Sequence, residues 1–169
     1  MPALHEFLSA DHDRLDALLA AALRKEGEVD GESFAEFRRG LLRHISIEER
    51  VLFAALRSHR AETALSRQLH RDHAALSALL VLPPNAAIAS QIAAILEIHN
   101  GLEEGSGGLY ESVEMLAGDA LDALMARAHA IPQVPVMPYA DTPVVRNAIK
   151  TLLRDADEGR RRLLDEPAT

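Results

Sequence analysis

The chain has 169 residues, of which 48% are hydrophobic and 26% charged, with a formal charge of −8 at pH 7 and no cysteine. That length suits one domain with a sizeable core. The missing thiols exclude disulfides, iron–sulfur clusters and thiol catalysis, and the acidic balance excludes nucleic acid as a partner.

Few aromatics and abundant Leu and Ala favour helix over sheet. The first expected helix runs from Pro2 to Lys25 on a stripe of Leu4, Leu8, Leu15, Leu19 and Leu23, and ends in the glycine-bounded turn at 27–31. The second opens at Ser33, an expected N-cap with Glu36 three residues on, and carries Phe34, Phe37, Leu41, Ile45, Leu52 and Leu56 to Arg57. The third runs from Ala61 to Leu80 and stops before Pro83-Pro84-Asn85. The fourth starts at Ala86 with Ile88, Ile92, Ile95 and Leu96, weakens at Gly105-Ser106-Gly107-Gly108, and resumes in LYESVEMLAG. Four helices joined by short turns imply an all-α, up-down-up-down antiparallel four-helix bundle over residues 1–128. Residues 129–169 read as a proline-rich segment followed by an amphipathic helix from Val144 to Leu164, packed on the bundle or on a partner chain.

No apolar run approaches the ~20 residues a membrane span needs. The start, MPALHEFLSADH, lacks a basic region followed by an apolar stretch, so no signal peptide is expected and a cytoplasmic location is.

The chemistry lies in the eight histidines. Each of the four expected bundle helices sets one inside its apolar stripe: His12, His44, His73 and His99. Two are followed four residues later by a carboxylate, as His44…Glu48 and His99…Glu103, which puts both groups on one helix face a turn apart. Height along the bundle is an independent test. With Val29, His59 and Pro84 as turn centres, His12 and His44 lie 17 and 15 residues from the first, His44 and His73 lie 15 and 14 from the second, and His73 and His99 lie 11 and 15 from the third. At ~1.5 Å per residue the mismatches amount to about a turn or less, so all four helices deliver to one layer. A single histidine on an apolar face is most often a hydrogen-bonded core residue. Four of them meeting two carboxylates at one level form a metal site, because a buried carboxylate is costly unless paired or metal-bound. Imidazole and carboxylate suit iron, with manganese or zinc open from ligand type alone.

The pattern His12, then His44-x-x-x-Glu48, then His73, then His99-x-x-x-Glu103 resembles the hemerythrin HHE cation-binding family, through the segments DHDRLDALL, HISIEERVLF, RDHAAL and HNGLEEGSGGLYE, over about residues 3–118. The resemblance implies two irons joined by an oxo or hydroxo bridge, with Glu48 and Glu103 bridging and the four histidines completing the irons. Oxygen-carrying hemerythrins have five histidines, two of them four apart on the third helix. Here that helix offers His70 and His73, three apart, so His70 stands as the candidate fifth ligand. Ferritin-like di-iron bundles use a Glu-x-x-His order instead, which differs from this one. Asp11, Asp16 and Asp72 are candidates to hold imidazoles from behind, whereas His5, His59 and His129 read as packing, capping or surface residues, and Tyr110, eleven residues after His99, reads as core packing with an outer role at the site as the alternative.

Three functions follow from such a centre. The first is binding of a small ligand, dioxygen, nitric oxide or peroxide, in oxidative or nitrosative stress. The second is an enzyme that decomposes hydrogen peroxide or reduces nitric oxide. The third is iron storage or sensing. The chain is expected to act as a monomer or homodimer.

Overall fold

A computed structural model of the chain describes residues 4–165. The expected helix start at Pro2 and the outer ends of the two expected regions, at residues 1 and 169, lie outside them. Among the described residues all regular structure is helical. In chain order the elements are α1 (Leu4–Ala22), α2 (Gly31–Ile47), a π-helical turn (Glu48–Leu52), α3 (Phe53–Ser58), α4 (Ala64–Leu79), α5 (Ala86–Glu104), α6 (Leu109–Ala117), a 3-10 turn (Gly118–Ala120), α7 (Leu121–His129) and α8 (Pro143–Asp165).

The caps explain where the helices begin. Asp30, not Ser33, is the N-cap of α2: its backbone is extended and its Oδ1 accepts from the Ser33 N–H at 2.8 Å, leaving Ser33 inside the first turn. Thr63 and Ser66 close a reciprocal capping box at the start of α4. Asn85, the last residue of the proline turn, accepts from the Ile88 N–H at 3.0 Å and starts α5. Each such cap contributes roughly 1 kcal/mol.

α1 packs on α2 and on α5, and α4 packs on α5. The apolar interior falls into two clusters. One gathers Leu15, Leu19, Phe34, Phe37, Leu41, Leu76, Leu79, Ile92 and Leu96. The other gathers Leu4, Leu8, Ile47, Val51, Leu52, Leu69, Leu109 and Tyr110, with Leu124 and Met125 from α7. On α1, α4 and α5 the buried histidine falls between the residues given to the two clusters, so a polar layer separates two oily ones. Burying one such Leu contributes about 1.5–3 kcal/mol. The two clusters together hold the polar layer out of water.

After α7 the chain runs extended over the outside of α2. Pro132, Pro135 and Pro138 suit that path because they need no partner for an N–H. Arg43 donates to the Ile131 carbonyl, Arg38 donates to the Met137 carbonyl, the Arg38 guanidinium sits 4.2 Å over the Tyr139 ring, and the Ala140 N–H reaches the Val81 carbonyl at 2.9 Å. α8 then lies along α4. Gly159 lets the two helices touch, since a Cβ there would come within 2.1 Å of the Gln68 Oε1. No helix of the described residues is long and apolar enough to cross a membrane.

Candidate metal centre

All six residues of the histidine and glutamate pattern are buried, and Glu48 and Glu103 expose nothing at all. α1 brings His12, α2 brings His44 and the π turn begins with Glu48; α4 brings His73 and α5 brings His99 and Glu103. They form two groups of four that share both glutamates: His12, His44, Glu48 and Glu103 in one, and His73, His99, Glu48 and Glu103 in the other. Within each group the ligand atoms lie within 4.8 Å of one another.

Each glutamate divides its two oxygens between the groups. Glu48 Oε1 stands 3.3 Å from His44 Nε2, while its Oε2 stands 3.0 Å from His73 Nε2. Glu103 Oε2 stands 3.4 Å from His12 Nε2, while its Oε1 stands 3.1 Å from His99 Nε2. The π turn assists here. Its extra residue lets Glu48 and Glu49 both reach His73, one at each ring nitrogen.

Behind every imidazole sits a carboxylate at the other ring nitrogen. Nδ1 of His12 meets Glu104, that of His44 meets Asp11 at 2.8 Å, that of His73 meets Glu49 at 2.8 Å, and that of His99 meets Asp72 at 3.3 Å. A carboxylate at Nδ1 fixes the ring and leaves Nε2 to point inward. Asp72 is itself held, accepting from Gln68 at 2.9 Å and from Arg160 of α8 at 2.7 Å.

The charges reinforce one another. Burial pushes the His44 imidazolium down, but Glu48, Asp11 and Glu103 outweigh it and hold it up at about 10. Burial and the Glu103 charge push Glu48 up, yet His44 and His73 bring it down to about 2. His73 and Glu103 move the same two ways, up and down, for the same reasons. Without a cation, His44 and His73 stand as imidazolium ions against the ionised Glu48 and Glu103.

That cluster does not satisfy itself. Glu48 Oε2, His73 Nε2 and Glu103 Oε1 are buried and have no hydrogen-bond partner, although they lie close together. Glu48 Oε2 and Glu103 Oε1 stand 3.0 and 3.8 Å from His73 Nε2, close enough to share one ion with it. Buried polar atoms are rarely left so. Two imidazole nitrogens and two carboxylate oxygens around one point are the donor set of a cation such as iron, manganese or zinc. The residues fit a metal.

The remaining candidates fall outside. His70 is exposed and turns its Nδ1 to Glu49 Oε1 at 2.8 Å, the same oxygen that holds His73, and it joins neither group. Asp16 lines a small cavity beside the centre with Leu15, Leu41, Ile45, Leu76 and Leu96. His5 meets the Tyr110 ring edge-on, His59 bonds the Ala55 carbonyl at the end of α3, and His129 lies tilted against the Phe7 ring. Asp11 and Asp72 do hold imidazoles. Glu49 and Glu104 do so too. Each follows a buried glutamate directly, and the doublets Glu48-Glu49 and Glu103-Glu104 are the signal that would have found them. Tyr110, which read as packing, puts its hydroxyl in the centre, donating to Glu48 Oε1 at 2.7 Å. Burial, with Glu103 and Glu48 beside it, pushes that hydroxyl well up, so without a cation it is neutral.

Residues 3–82 match the family model of the hemerythrin HHE cation binding domain. The match takes in His12, His44, Glu48, His70 and His73. It ends before His99 and Glu103, which the resemblance read from the sequence had included in a span to residue 118. No curated protein and no solved structure gives a significant match.

Proposed function

We propose, from the assignment of residues 3–82 to the hemerythrin HHE family, that the chain is a cytoplasmic non-haem di-iron protein that binds dioxygen, or a related small ligand such as nitric oxide or peroxide, in oxidative or nitrosative stress. The arrangement that goes with this reading is an up-down four-helix bundle over residues 1–128, with residues 129–169 as an addition packed on it. His12 and His44 would hold one iron, His73 and His99 the other, and Glu48 and Glu103 would bridge them. One observation carries the proposal: each buried glutamate gives one oxygen to each pair of imidazoles, so the two groups are adjacent and share both carboxylates.

Iron held there supplies reversible electron transfer to a small oxidising ligand. The protein supplies the rest. Asp11, Glu49, Asp72 and Glu104 keep each Nε2 aimed and its imidazole basic. A narrow cavity walled by Leu15, Leu41, Ile45, Leu76 and Leu96 touches His12, His44, Glu48 and His99, with room for about one water-sized group, so a small ligand would reach the centre against apolar walls.

The test is to load the full chain with Fe(II) under nitrogen, count iron per chain, and record the optical spectrum on adding oxygen, nitric oxide or peroxide. Two irons per chain and a spectrum that changes reversibly with oxygen or nitric oxide support the proposal. Sustained gas evolution from peroxide would replace ligand binding with the enzymatic alternative. Uptake of less than one iron per chain would sink both.

A further inference from the structure

The two halves of the centre are equal in histidines and carboxylate oxygens, but only one has a fifth side chain in it. We infer that the Tyr110 phenol oxygen is a protein ligand of the His12–His44 half, an inference that rests on the metal-binding reading above. Tyr110 Oη lies 2.7 Å from Glu48 Oε1, 3.1 Å from Glu103 Oε2, 3.1 Å from His12 Nε2 and 3.5 Å from His44 Nε2. Those four atoms are the four donors of that half, and none of the hydroxyl's contacts is with His73 or His99. One hydroxyl carries one proton. It donates to Glu48 and can accept from an imidazole N–H, so hydrogen bonding covers part of the four approaches and leaves the 3.1 Å oxygen–oxygen contact with Glu103 without a proton of its own. A shared cation accounts for all of them. Donors bound to one ion at about 2.0–2.2 Å and at right angles stand about 2.8–3.1 Å apart, and two of the four contacts fall in that range, with one just below it and one above.

The backbone around Tyr110 is built to deliver it. Tyr110 is seven residues beyond Glu103, and in an unbroken helix it would stand about 10 Å further along the axis. Instead α5 ends at Glu104 and the chain folds back through Gly107, at φ +72°, and Gly108. A Cβ on Gly108 would come within 2.5 to 2.8 Å of the carbonyl oxygens of Glu103, Gly105 and Leu102, so only glycine allows the fold-back. Tyr110 then starts α6, wholly buried, and the His5 ring packs against its edge. On binding, the phenol proton leaves to solvent, as protons generally do when a cation takes up protein ligands. The inference also fits the exposed position of His70. The His12–His44 half draws its fifth donor from the chain after α5, and the His73–His99 half keeps a place open.

The experiment uses the full chain and its Tyr110→Phe variant, each loaded with Fe(II) under nitrogen and then oxidised in air. Iron is counted, and resonance Raman spectra are excited in the visible absorption band. A coordinated phenolate gives the ferric protein a visible charge-transfer band whose excitation enhances tyrosine ring vibrations. These are expected in the wild type and absent from Tyr110→Phe, with the iron count of the variant at least half that of the wild type. Iron-loaded wild type without enhanced tyrosine modes overturns the ligand role and leaves the metal-binding reading standing. Wild type that takes up no iron overturns both. Should Tyr110→Phe fail to fold, the wild-type Raman spectrum decides alone.

Discussion

The two halves of the centre are built from the same donors and finished differently. In the His12–His44 half a buried tyrosine hydroxyl fills the space between the donors. In the His73–His99 half, Glu48 Oε2, His73 Nε2 and Glu103 Oε1 have no hydrogen-bond partner, close though they lie to one another. Their outer supports differ as well. Asp11 and Glu104 sit at the protein surface, 15% and 34% exposed, so water shares their charge. In the second half Glu49 is 23% exposed in the same way, but Asp72 is fully buried, and its compensation is Arg160, which comes from α8. The first half is therefore closed by the bundle's own chain break. The second is completed only when the C-terminal helix docks. A symmetric ligand pattern does not make a symmetric site.

The comparison can be broken at its shared element first. Glu103→Ala removes one oxygen from each half and leaves two imidazoles facing nothing, so both metals should be lost; a variant that still holds two irons per chain by elemental analysis would contradict the bridging assignment. Next in size is Asp72→Ala. It strands the buried Arg160 and frees the His99 ring, and a loss of about 3–5 kcal/mol in unfolding free energy is expected from denaturant titration. A loss under about 1 kcal/mol would mean that Arg160 swings to water and that α8 is not coupled to the centre.

Arg160→Met keeps the length of the side chain and removes its charge. Asp72 retains Gln68 and His99, so the cost should be smaller, about 1–3 kcal/mol. The metal spectrum should also change, because the His99 support has moved. An unchanged spectrum with lowered stability would make Arg160 a packing residue only. Asp11→Asn acts on the half whose supports are partly exposed. It should weaken metal binding by about tenfold, the lower end for groups that orient a metal ligand, read by competition with a chelator. An effect as large as that of Asp72→Asn would erase the difference drawn between the halves. The smallest effect belongs to His70→Ala, whose side chain is 65% exposed. Iron content should stay at the wild-type value and stability within about 0.5 kcal/mol. Loss of one iron would restore His70 as a ligand.

Much of this was legible in the amino-acid order. The leucine stripes placed α1, α2, α4 and α5 to within a few residues, and the glycine run marked the break before α6. The helical spacing of His44 and Glu48, and of His99 and Glu103, selected residues that prove to be buried together. Local misreadings have local causes. Ser33 reads as the cap from its spacing to Glu36, but Asp30, three residues earlier, accepts from the Ser33 N–H and starts the helix, and the π turn has no sequence signature because what it lets Glu48 and Glu49 reach lies on another helix.

What the sequence by itself determined is the polar layer. Its residues lie at helical periods inside apolar stripes, and the free energy of burying those stripes leaves no other place for them. What only the tertiary structure decided is which groups close that layer from outside it. Tyr110, Glu49, Glu104 and Arg160 reach the centre or its supports across a chain break, between helices, or from a helix 88 residues beyond its partner. Periodicity reports which face of one helix is buried. It carries no information on what another element lays against that face, because that depends on the angles and turns by which the helices meet.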